Sequence, residues 1–322
     1  NGTSVFWSGT TTFFANHAGT YGGAVETFDG VSLSWNATTG FYSNIAGFGG
    51  GAVLLSYRSN ISWSGAVTFS SNSAGIGGAL YVQERCIASW SASTTAFVDN
   101  EATNIGGAVY VSDRSLLSWS SEADTVFAGN VAASFGGAVA IATGSRITCS
   151  PGTVTTFSNN SAGTDGGAVL LDDSSDASFD GNTFDCATTF DGNVALSGGA
   201  VHLMNGASVE WTGTGNFTSN HAFGDGGAVG SVALDVVSNS VNSSLRVNGA
   251  TSFTNNTCGG NGGVMSLLGG LSLEIGSVDV SFVGNSAAVA GGAVYVSGTG
   301  AGPVFTDVDF ISNSAQIGGA VS

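Results

Sequence analysis

Two short words, Phe-x-x-Asn and Gly-Gly-Ala followed by an apolar residue, recur in phase from one end of this chain to the other. The Phe words start at Phe13, Phe41, Phe69, Phe97, Phe127, Phe157, Phe190, Phe217, Phe253, Phe282 and Phe310. Each is followed three residues on by an asparagine: Asn16, Asn44, Asn72, Asn100, Asn130, Asn160, Asn193, Asn220, Asn256, Asn285 and Asn313. The Gly-Gly words begin five or six residues after each of these asparagines, from Gly22 to Gly318. The period is about 29 residues, the range of solenoids and other repeat arrays.

A third position completes the unit. Ten residues after the apolar residue of the Gly-Gly word comes a bulky side chain: Val25 leads to Trp35, Val53 to Trp63, Leu80 to Trp90, Val109 to Trp119, Val139 to Cys149, Val169 to Phe179 and Val201 to Trp211. With Trp7, this one position takes all six tryptophans.

Inside a unit the apolar residues alternate with a period of two. Val109 and Val111, Leu117 and Trp119, and Thr95 and Phe97 are such pairs, which is the pattern of half-buried strands. Three short strands per unit leave no room for a helix. They can wind as a coil in which each strand lies on its counterpart one turn later, about 4.8 Å away. The expected fold is therefore all-β, a single-stranded parallel β-helix of about eleven coils with three short strands each. It is read as one domain over residues 1–322, with insertions near 172–191 and 236–248.

Each column then has a physical role. Phe, Trp and Val fill the interior, a buried side chain of this kind contributing roughly 1.5–3 kcal/mol. The asparagine turns the chain, its amide bonding to the asparagines above and below and to bend carbonyls that would otherwise lack partners. The paired glycines allow φ > 0 and close backbone approach. The alanine after them falls on the outward parity and has no account from the sequence.

Phe69-Ser70-Ser71-Asn72 with Gly77-Gly78-Ala79-Leu80 resembles the repeat of the chlamydial polymorphic membrane proteins, and the resemblance runs the length of the chain. Similar repeats also occur in predicted surface proteins of eukaryotic algae. The resemblance implies a right-handed β-helical surface domain, exported as an autotransporter passenger and used in adhesion. No β-barrel translocator follows Ser322, so the export route does not come with it.

Composition narrows the partners. The chain carries 5 Lys plus Arg, all arginine, against 22 acids, for a net charge of −17. Nucleic acid is excluded as a partner, since its phosphates need a basic surface, and anionic membrane surfaces fall on the same ground. No apolar run reaches the length of about 18 residues that a transmembrane helix needs. Asn1-Gly2-Thr3-Ser4 has no signal-peptide character, so a leader, if there was one, has been removed.

No catalytic constellation and no cofactor motif stands out. Asp172, Asp173, Asp176 and Asp180 lie in the acidic insertion with Asp185 and Asp191; a solvated loop, a calcium site and an acid/base pair for glycan cleavage all fit them. Arg58, Arg85 and Arg114 each lie eight residues after the first glycine of their word, and Arg146 lies ten after. They read as a solvated bend ladder paired with Glu84, Asp113 or neighbours, or as a basic stripe for an anionic glycan or a neighbouring chain. The insertion at 236–248 carries Arg246 and reads as a tolerated loop or as a contact loop. His17 and His221 share a register but lie coils apart, and His202 stands alone on the outward parity.

Of the four cysteines, Cys149 and Cys186 fall in consecutive coils and are expected either bonded or buried as free thiols. Cys86 and Cys258 are too far apart to meet, and are expected free or bonded to another chain. Sequons at Asn1, Asn36, Asn60, Asn159, Asn216, Asn242 and Asn255 mark candidate N-glycosylation sites.

The triplets run to both ends without a polar cap. Head-to-tail stacking into a filament and excision from a longer chain are both expected explanations. The favoured reading is a non-enzymatic extracellular or cell-surface structural glycoprotein, a rod or filament subunit. Its partners would be copies of itself or neighbouring surface proteins. An adhesin binding a host receptor or glycan is the alternative, and a polysaccharide-cleaving β-helix enzyme a weaker one.

Overall fold

The computed structural model describes residues 3–91, 94–120, 124–173, 182–232, 243–268, 272–276, 279–298 and 303–322. These residues form a parallel β-solenoid with no helix. The repeat seen in the sequence is one circuit of backbone: Phe97 pairs with Phe69 on one side and Phe127 on the other, and every named strand pairing is parallel to the equivalent strand one coil away.

The coil has four strands where the sequence pattern gave three. In the fourth circuit these are Ile87–Trp90, Thr94–Val98, Glu101–Ile105 and Val109–Val111. They build a Trp sheet and a Phe sheet of eleven strands, and an Ala sheet and a Val sheet of ten. The Ala sheet escaped notice because most of its strands, such as Val131–Ala132, have only two residues, too few for an alternation to register. Its mark is an alanine two positions after the ladder asparagine, from Ala18 to Ala315, with Cys258 standing in once.

The interior is filled by columns of like residues. Phe rings stack with centroids 4.7–4.8 Å apart through Phe41, Phe69, Phe97 and Phe127. The Trp column runs through Trp63, Trp90 and Trp119 to Cys149, then Phe184 and Trp211. Phe184 takes the place that spacing gave to Phe179, because the insertion lengthens this coil; Phe179 itself lies outside the described residues. The indole nitrogens of Trp90 and Trp119 donate to Thr125 and Thr155 of the next coil at 2.9 Å.

The alanine of the Gly-Gly word points inward, against the parity expected of it. The amides of Ala108 and Val109 both donate to the carbonyl of Ala138, at 2.9 Å each. Two successive amides on one carbonyl break the alternation, so Ala108 and Val109 are both buried in the core and only a small side chain fits at the corner. The two glycines before them differ in duty. Gly106 has φ +66, while a Cβ on Gly107 would run into the carbonyl oxygen of Gly137.

Candidate functional site

Two bends of the coil are held in different ways. At the bend after the Phe strand, the asparagine amide links three rungs. The Oδ1 of Asn130 accepts from the backbone amide and from the Nδ2 of Asn100, both at 3.0 Å. Its Nδ2 donates to the carbonyl of Phe97 at 3.0 Å and to the Oδ1 of Asn160 at 2.9 Å. The same pattern runs through Asn44, Asn72, Asn100, Asn160, Asn193, Asn220, Asn256 and Asn285, and Asn16 and Asn313 close it at either end. From Asn44 to Asn285 every one of these side chains is buried.

The bend between the Val sheet and the Trp sheet is a tight turn with two successive left-handed residues. Asp29 and Gly30 hold it in the first full coil, then Tyr57 and Arg58, Glu84 and Arg85, Asp113 and Arg114, and Thr143 and Gly144. Glycine takes the second position without strain, whereas a side chain there costs roughly 1–2 kcal/mol. Three neighbouring coils put arginine in it, at φ of 60, 64 and 62°.

These turns stack in register. The amide of Arg58 donates to the carbonyl of Glu84, that of Arg85 to Asp113 and that of Arg114 to Thr143, at 2.9–3.1 Å. Immediately behind them runs a second polar ladder that the sequence reading missed. Ser59, Cys86, Ser115 and Ser145 are buried, and each accepts, through oxygen or sulfur, the amide of the residue one coil earlier. A small residue directly after each arginine, in phase, was the available signal.

The turns line an open groove of about 680 Å³ bounded by Asp29, Tyr57, Arg58, Glu84, Arg85, Asp113, Arg114 and Thr143. The pairing of these arginines with Glu84 or Asp113 that the sequence allowed is not what the structure has: none of the three guanidinium groups joins an ion pair among the described residues. Asp113 instead accepts from the hydroxyl of Ser112 at 3.0 Å, and one carboxylate oxygen of Glu84 is buried with no partner. Tyr57, 47% exposed, lines the groove and meets the 59% exposed Phe28 at 4.4 Å between ring centroids. Arg146 does not share the stack. It lies in the Trp-sheet strand Arg146–Cys149, opposite Leu116.

Arg246 likewise belongs to a strand, Ser244–Val247, and not to a protruding loop; it pairs with Glu274 at 2.9 Å. Of the insertion at 236–248, residues 236–242 lie outside the described residues, as do Asp176 and Asp180. Asp172 accepts from the Nδ2 of Asn205 at 2.7 Å, burial holding its carboxyl above the usual range, and Asp173 is also engaged. No group of three metal-ligating side chains occurs among the described residues.

His202 is the outward-parity histidine, yet it is fully buried, with both ring nitrogens unbonded and Asp165 at 3.7 Å. The strand's outer surface here is covered by the segment leading into the Gly-Gly word, which carries Asp165. Burial lowers His202 to about 4 and raises Asp165 to about 6. His17 and His221 both open Ala-sheet strands, and the Nδ1 of His221 lies 2.8 Å from the hydroxyl of Thr257.

Cys149 and Cys186 form a disulfide, with Cα atoms 5.6 Å apart. Cys86 and Cys258 are buried free thiols, pushed up to about 11 by desolvation, each filling a place in a column of serine or alanine. Asn36, Asn60, Asn159, Asn216 and Asn255 are exposed; Asn1 and Asn242 lie outside the described residues.

No helix among the described residues is long and apolar enough to cross a membrane. Nothing among the curated proteins or the solved structures matches the chain. A family model does, at residues 66–83, 154–172 and 279–297, and it describes the Chlamydia polymorphic membrane protein (Chlamydia_PMP) repeat. Each stretch takes in a Phe strand, its asparagine bend and a Gly-Gly corner, the invariant half of the coil. The chain is thus a parallel β-solenoid that matches the Chlamydia polymorphic membrane protein repeat at three places.

Proposed function

We propose that the protein is a non-enzymatic, extracellular structural shaft at a cell surface, a rigid glycoprotein rod whose coils serve as spacer and scaffold. The observation that carries this reading is the buried asparagine ladder. Asparagine amides that each link three rungs couple every coil to the next, so the array bends and stretches as one body. The polymorphic membrane protein repeats support the surface placement.

Exposed sequon asparagines support glycosylation, and the regular parallel stacking of equivalent strands supports head-to-tail growth into a filament. Electron microscopy of the purified protein tests both shaft and filament. Stiff rods about 50 Å long, by the strand spacing, or integer multiples of that length are expected, and flexible or globular particles would reject the reading. Peptide masses before and after enzymatic deglycosylation test Asn36, Asn60, Asn159, Asn216 and Asn255.

An adhesive role is the second reading. It is favoured by the groove over Arg58, Arg85 and Arg114, which form no ion pair among the described residues. A polysaccharide-cleaving activity would show as new reducing ends from acidic polysaccharides, and none is expected.

A further inference from the structure

We propose that the turn column of Arg58, Arg85 and Arg114 is a binding groove for an acidic oligosaccharide lying along the solenoid axis. The assignment leans on the shaft reading only for the extracellular setting in which such a glycan is met.

The cations come first. A chain with five arginines, no lysine and a net charge of −17 places three of its cations in consecutive rungs of one turn. There they engage no carboxylate among the described residues. Parallel strands set successive arginines about 4.8 Å apart, so the column covers two rung intervals. A single small anion cannot touch all three. A linear polymer with one anionic group per unit can, since a hexuronate ring in an extended chain advances by a distance comparable with one rung.

The rest of the lining selects among polyanions. Asp29, Glu84 and Asp113 lie between and beside the arginines. A densely charged polymer such as nucleic acid would be repelled by them. A saccharide brings hydroxyl groups as well as acids, and those hydroxyls can donate to the lining carboxylates. The exposed Tyr57 ring, packed on Phe28, offers an apolar face of the size of a sugar ring in the lining of the groove.

The backbone is preset for the task. Arginine stands at a left-handed position that glycine fills in the coils on either side, at Gly30 and Gly144. Strain of this kind persists where the surroundings over-determine it and concentrates at ligand clamps. The serine ladder behind the turn supplies that constraint.

The test uses the whole chain. Titration calorimetry is run at low salt with oligogalacturonates of two to six units, heparin-derived oligosaccharides of matching length, and neutral xylo-oligosaccharides. Acidic chains of three or more units should bind, the dimer at least tenfold more weakly, and the neutral series not measurably. Affinity should fall as salt is raised. Carboxylated and sulfated chains share the chemistry, and whichever binds tighter identifies the source. The triple variant Arg58→Gly, Arg85→Gly, Arg114→Gly should lose at least tenfold in affinity while melting no lower than the wild type, because glycine suits the turn; Tyr57→Ala should lose severalfold. Unchanged affinity in the triple variant, equal binding of neutral chains, or no binding of either acidic series would each overturn the assignment. Rod images decide the shaft reading separately.

Discussion

The asparagine bend and the arginine turn lie within one circuit of backbone and solve opposite problems. At the first, the same residue recurs in every coil and, from Asn44 to Asn285, is buried with its amide oxygen and nitrogen both bonded. At the second, the residue changes from coil to coil, faces solvent, and in three coils adopts a conformation that suits glycine better. Length varies at the second bend as well. The gap between the Val-sheet strand and the next Trp-sheet strand runs from Thr27 to Ser32 in one coil, but from Asp172 to Asn182 and from Val232 to Ser244 in others. A position repeated in every rung serves the shaft, and one that varies is free to serve something else.

The contrast can be broken most sharply by removing one rung of the ladder. Asn130→Ala strands the amide and Nδ2 of Asn100 and the carbonyl of Phe97 in the interior. At about 1–3 kcal/mol per buried unsatisfied group, it should cost about 5 kcal/mol, read from urea unfolding. A loss below about 1 kcal/mol would mean that the ladder adds little to stability. The variable bend, by comparison, relies on a covalent tie. The Cys149–Cys186 disulfide closes a stretch of sequence separation 37 that includes the gap from Asp172 to Asn182, and the double Cys→Ala variant should lose up to about 4 kcal/mol by the chain-entropy argument.

A smaller effect sits on the outer side of the Val sheet, between Asp165 and His202. His202, lowered from 6.5 to about 4, refuses a proton that the unfolded chain accepts, so by itself it removes stability as pH falls through that window. Asp165, raised from 3.8 to about 6, takes its proton earlier in the folded state, so by itself it adds stability as pH falls from 6. In the wild type the two nearly cancel. Asp165→Asn should leave stability falling between pH 6.5 and 4, and His202→Asn should leave it rising between pH 6 and 4. Each slope should reach about 1.4 kcal/mol per pH unit, and parallel profiles in the two variants would refute the pairing. Least of all, Arg85→Gly should raise stability by up to about 1 kcal/mol, the reverse in sign of the asparagine variant. A decrease would show that the arginine is not strained in its turn.

The coil and its registers were legible because a column repeats its residue. Phe, Asn and Gly-Gly recur often enough to fix one circuit per period, and the alternation of Leu117 with Trp119 separates the two faces of a strand. What stayed hidden has short range or no parity. The Ala sheet is too brief to alternate, and Ala108 faces inward only because two amides share the carbonyl of Ala138. Phe184 was displaced from its expected position by an insertion whose length shifts the count. The arginine column was visible as spacing, but its left-handed backbone and its freedom from Glu84 and Asp113 are properties of the stacked turns, which no single unit encodes.

Because each asparagine amide grips the rungs on both sides of its own, losing a few residues from the ladder half of a coil throws every later rung out of step. Losing an entire circuit rejoins equivalent partners and leaves the grip intact. The molecule can therefore lengthen or shorten only in whole increments, like a ratchet with teeth about 4.8 Å apart. Gain or loss of whole repeats would yield a ladder of viable sizes, each as stiff as the last.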